Sequence, residues 1–125
     1  MFEATFKITA LLESNGQGRR VFQVLKHEAP VDDEGLLSLV AMIYQQDVSH
    51  TLRAGDELKV TVRLDFPSRE IERTLHFRGD GRFEGEGVAE PTTDLLPLIA
   101  SQSERFRQYV QPGDVITFSF QVQRH

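Results

Sequence analysis

Four arginines beside two tight turns are the residues of this 125-residue chain best placed to do chemistry. Arg19 and Arg20 follow Asn15-Gly16-Gln17-Gly18, and Arg78 and Arg82 flank Gly79-Asp80-Gly81. A guanidinium is a planar fork of donors that grips a carboxylate or phosphate with two parallel hydrogen bonds. If the two turns occupy equivalent places in the fold, Arg19, Arg20, Arg78 and Arg82 form one anion-binding surface. Other candidates read as structure. His27, His50, His76 and His125 show no metal-ligand spacing on a common helix face. Asp32-Asp33-Glu34 stands where carboxylates favour a helix start, so capping is expected rather than a metal cluster. Arg78-Gly79-Asp80 spells an adhesion tripeptide, but Gly-Asp-Gly is turn chemistry. There is no phosphate loop, dinucleotide fingerprint or nucleophile elbow, and no cofactor is expected.

Composition narrows the classes further. The chain has no cysteine, which removes disulfides, thiolate metal sites and a cysteine nucleophile. Its net charge of −5 is spread over both halves, so a basic nucleic-acid face is not expected. No apolar run reaches the roughly 20 residues that span a bilayer, and Met1 to Lys7 lacks the pattern of a signal peptide. The expectation is one domain over residues 1–125, in the cytoplasm and away from membranes.

The elements that must position these side chains occur twice. Leu36-Leu37-Ser38-Leu39-Val40-Ala41 recurs as Leu95-Leu96-Pro97-Leu98-Ile99-Ala100. Gly55-Asp56 precedes Leu58, Val60, Val62, Leu64 and Phe66 at alternate positions; Gly113-Asp114 likewise precedes Ile116, Phe118, Phe120 and Val122. Strict alternation predicts half-buried strands, as it does for Phe2 to Leu12. Helices are expected from Asp32-Asp33-Glu34 to about Gln46 and from about Leu95 to Val110. The hairpins align through Ile8/Ile71, Leu12/Leu75, Gly16/Gly79, Gly18/Gly81 and Arg19/Arg82. The chain thus reads as ββαβ twice, over 1–66 and 67–125, with six strands and two helices around one shared core.

Two ββαβ units, each with Gly-Asp between helix and last strand, resemble the cradle-loop barrels. Within them the order is similar to that of the double-psi β-barrels, whose "GD box" would correspond to Gly55-Asp56 and Gly113-Asp114. That resemblance implies an α+β fold whose six strands close into a barrel; the alternative is an open mixed sheet with two helices packed on it. The family's roles range from substrate recognition in ATPases to parts of RNA polymerases and a self-processing decarboxylase. The last needs a Gly-Ser peptide, which this chain lacks.

Without a catalytic motif, the expected function is a non-enzymatic binding or adaptor domain that recognises a protein partner, alone or within a larger assembly. The rival is a small enzyme or anionic-ligand-binding protein whose acid–base groups are scattered carboxylates with His27 or His76.

Overall fold

The computed structural model describes residues 1–14, 20–65, 68–107 and 109–125. Six antiparallel strands form one sheet in the order β2-β1-β6-β3-β4-β5. They are β1 (Phe2–Ser14), β2 (Arg20–Val24), β3 (Glu57–Leu64), β4 (Arg69–Phe77), β5 (Phe83–Gly85) and β6 (Val115–Arg124). The sheet is open: β2 and β5 end it on opposite sides. The structure is therefore the α+β alternative rather than a closed barrel, and its sheet is antiparallel throughout rather than mixed.

Helix α1 runs over residues 33–51 and helix α2 over Leu96–Arg107. Asp32 starts α1 as expected, its Oδ1 accepting from Gly35 N–H at 2.7 Å. Asp94 does the same for α2, accepting from Leu96 N–H at 3.0 Å. Helix α1 outruns its expected end because it widens into a π-helical stretch over Tyr44–Val48 before a final α turn, Ser49–Thr51. A π turn moves the backbone N–H donors one carbonyl back. The hydroxyls of Ser49 and Thr51 donate to the carbonyls of Gln45 and Asp47, and the His50 ring bonds that of Gln46.

Both helices cover one face of the sheet. Leu58, Val60, Val62, Leu64, Ile116, Phe118, Phe120 and Val122 are buried there with Ala10, Leu12, Phe22, Leu75 and Phe83. Leu36, Val40, Ile99 and Phe106 close the core from the helices, so both halves share it. Gln102 of α2 is buried with them and donates to the carbonyls of Val60 and Ile71. No helix among the described residues is long and apolar enough to cross a membrane.

The strand order reads the same from either edge when the halves are exchanged, and so does the register. Leu12 faces Phe22 as Phe77 faces Phe83; Ala10 faces Ile116 as Leu75 faces Leu58. Thr61 opposite Ser119 marks the centre. Phe22 makes a single bridge to Val31, matched by Phe83 to Thr92. The hairpin alignment is therefore two residues out: Leu12 corresponds to Phe77, not Leu75, and Phe6 to Ile71. A slip of two keeps every side chain on its own face, so apolar alternation cannot detect it.

The Gly-Asp turns are equivalent in detail. Gly55 and Gly113 have φ of +92° and +97°, the left-handed region that glycine enters without a steric cost. Asp56 accepts from Arg53 N–H at 2.8 Å and Asp114 from Gln111 N–H at 2.7 Å. Among the described residues, Asp56 also holds an arginine and Asp114 does not. Arg124 Nε and Nη2 donate to its two oxygens at 2.9 and 2.7 Å, and this bond holds the Asp56 carboxyl below its ordinary 3.8.

Candidate functional site

Arg20 lies at one corner of the sheet, and Arg78 and Arg82 lie at another. In an antiparallel sheet of this order, β1 and β4 run in opposite directions near opposite edges, so Arg20, paired with Ser14 at the end of β1, and Arg78, just past the end of β4, lie at diagonal corners. Arg20 lies near Asp33 at 3.5 Å and over the Phe22 ring. Arg78 is at the other corner, 2.8 Å from Asp80 and 3.6 Å from Glu84, with Arg82 exposed beside it. Arg19, the turn Asn15 to Gly18, Phe66 and Pro67 lie outside the described residues. Of the histidines, His76 is exposed on the uncovered sheet face and His50 ends α1. Among the described residues, no three histidine or carboxylate side chains converge as a metal site would require.

What the fold does assemble is a groove beside β1. Strand β1 has 13 residues, but β2 pairs only with Ala10 to Ser14. One further bond, Leu25 N–H to the Thr9 carbonyl at 2.9 Å, closes that ladder. In an antiparallel ladder alternate residues turn their N–H and C=O to the same neighbour. Thr9 turns its carbonyl toward β2, so Lys7, Thr5 and Glu3 direct theirs to the same side. No described residue pairs with them there.

Next to this open edge lies a groove of about 380 Å³. Ile8 and Val24 come from the sheet, Leu39, Met42 and Ile43 from α1, and Leu25 from the segment after β2. Leu25 is 68% exposed and Met42 47%, so two large apolar side chains meet solvent at this one groove. Lys7, Lys26 and His27 also line the groove, and among the described residues no carboxylate does. The His27 ring bonds the Ala29 carbonyl through Nδ1 at 2.8 Å, and its own carbonyl accepts from Gln23.

The equivalent place in the second half is built differently. The registers match Thr9 with Thr74, Lys7 with Glu72, Ile8 with Arg73, Val24 with Gly85, Leu25 with Glu86 and Lys26 with Gly87. Glu86 N–H reaches the Thr74 carbonyl as Leu25 N–H reaches that of Thr9. There the edge is plugged. The Glu86 carboxylate accepts from Thr74 N–H at 3.2 Å, and the Arg73 guanidinium donates to the Glu72 carbonyl at 3.3 Å. A β-carbon on Gly87 would fall 2.6 Å from Leu98 and 3.3 Å from Arg73. The smaller hollow that remains, about 260 Å³, has Glu90, Asp94 and Ser101 in its wall.

Lys26 stands out for its backbone as well. Among the described residues it is the non-glycine residue at positive φ, +69°, where its counterpart Gly87 has +83°. The loop geometry is thus shared between halves, and the first carries a lysine where glycine would be unstrained.

In the sequence, Ile8, Val24, Leu39 and Ile43 carry the apolar spacing of core residues, and nothing there singles out Lys26. One signal was present: Val24-Leu25 and Met42-Ile43 supply more apolar residues than one buried face needs. Comparison with protein-family models, curated proteins and solved structures finds no match to this chain.

Proposed function

We propose that this protein is a binding module that recognises a protein partner without transforming it, and that the groove beside β1 receives that partner. The observation that carries the reading is the difference between equivalent sites. A twofold-related fold has plugged one edge with Glu86 and Arg73 and left the other open beside exposed Leu25 and Met42. Exposed strand edges invite pairing with other chains, and proteins ordinarily blunt them. The sheet's outermost strands follow that rule, being short and bridged by Val31 and Thr92. The β1 edge departs from it where an apolar groove lies alongside.

The scatter of the histidines and carboxylates supports a binding role over acid–base catalysis. The two equivalent Gly-Asp turns support the resemblance to cradle-loop barrels, here in an open form, and a resemblance of fold assigns no activity.

The experiment is affinity capture from the source cell with wild type, Met42→Arg and Glu104→Arg. Met42 lines the groove, whereas Glu104 is exposed on α2 outside it. A partner retained by wild type and Glu104→Arg but lost from Met42→Arg is the expected result. Retention by all three places recognition elsewhere.

A further inference from the structure

We infer that the groove's occupant is an extended, acidic peptide segment that adds to the open edge of β1 as a further strand. The inference rests on the groove being the binding surface and adds the shape and charge of what enters it.

The shape follows from the backbone. Lys7, Thr5 and Glu3 direct N–H and C=O groups away from β6, with no described partner, along a stretch of β1 that is already extended and held by β6. An added strand satisfies these groups in regular alternation and lies between β1 and α1. Its alternate side chains then fall on the floor of Ile8, Leu39 and Ile43. A helical segment would leave the β1 edge unpaired.

The charge follows from the rim. Lys7, Lys26 and His27 line the groove without a carboxylate among them, in a chain whose net charge is −5. The plugged counterpart carries Glu70, Glu72 and Glu86 at its edge. Lys26 is held at φ +69° where Gly87 serves in the other half, so its ammonium stays at the groove mouth despite the backbone cost. Complementary charge at a rim selects partners and speeds encounter.

The test uses two fluorescein-labelled nonapeptides of alternating leucine and threonine, one ending in two aspartates and the other in two lysines. Anisotropy titrations measure affinity, and amide chemical shifts of the protein locate the site. The aspartate peptide should bind at least tenfold tighter and shift β1 and α1 amides, and Lys26→Glu should reverse the preference. Lys7→Pro removes one edge-facing N–H without breaking the β1–β6 ladder. It should abolish binding with the fold intact by circular dichroism, while Lys7→Ala retains most of it. Glu72→Pro, the equivalent change on the plugged edge, should leave binding unaltered.

Equal affinity for both peptides overturns the acidic assignment, and full binding by Lys7→Pro overturns strand addition; the groove reading survives either result. Shifts that map away from β1 and α1 overturn the groove itself. Oleate bound in the groove in preference to either peptide overturns the peptide assignment, since a fatty acid is the other acidic amphiphile that such a rim and floor would take.

Discussion

Replacing Lys26 with glycine should make the protein more stable and a poorer binder. The Lys26 backbone lies at φ +69°, where a β-carbon crowds the following carbonyl at a cost of about 1–2 kcal/mol. Glycine relieves that crowding but loses more backbone freedom on folding, which offsets about 0.5–1 kcal/mol. The Lys26 side chain is exposed, so little packing disappears with it. The net gain is about 0.5–1 kcal/mol, a rise of about 2–5 °C in Tm for a domain of this size. Urea unfolding followed by circular dichroism reads it as a higher midpoint at unchanged slope. The reverse substitution, Gly87→Lys, should destabilise, because its β-carbon would sit 2.6 Å from Leu98 and must also adopt φ +83°. A destabilised Lys26→Gly protein would refute the claim that strain is stored at this residue. A stabilised variant with undiminished preference for the acidic peptide would refute the claim that recognition retains it.

Other outcomes follow from the same geometry. Gly85→Ala should cost about 3 kcal/mol or more, since its β-carbon would lie 2.5 Å from the Thr74 carbonyl oxygen at φ +139°. Gly55→Ala and Gly113→Ala, with open space around them, should cost only about 1 kcal/mol each in the same unfolding assay. The Asp56 carboxyl is lowered chiefly by its bond to Arg124, so the stability it contributes is present above the ordinary carboxyl range. That contribution is lost as pH falls through the lowered folded value, and Asp56→Asn should flatten the loss of urea midpoint below about pH 4. Gln102→Leu should change stability by less than about 1 kcal/mol. It gives up two hydrogen bonds, and with them a buried Oε1 that has no partner among the described residues.

The sequence by itself determined the parts governed by short-range periodicity. Alternation at Leu58 to Leu64 and Ile116 to Val122 placed two central strands, because one side of each must leave water and the side-chain period of a strand is two. Asp32 marked the start of α1 through its capping oxygen. The repeated Gly-Asp placed the left-handed turns at Gly55 and Gly113, where a β-carbon would be crowded by its own backbone. These are local demands that any folded context would impose.

Tertiary structure decided the rest. Whether six strands close or stay open depends on which edges meet, and nothing in a strand's own pattern records that. The π turn in α1 lengthened a helix whose apolar stripe gave out near Gln46. The hairpin register could slip by two residues without moving a side chain off its face, so repeat alignment missed it. Arg20 and Arg78 each stand beside a turn along the chain, but the exchange of halves sets Arg20 at one corner of the sheet and Arg78 with Arg82 at the diagonal one. The groove was illegible for the opposite reason. Ile8, Val24, Leu39 and Ile43 have the pattern of core residues, and only the early end of β2 leaves them beside an uncovered edge. Lys26 became informative once the fold set it against Gly87, because strain at one residue is visible only when the backbone that imposes it is known.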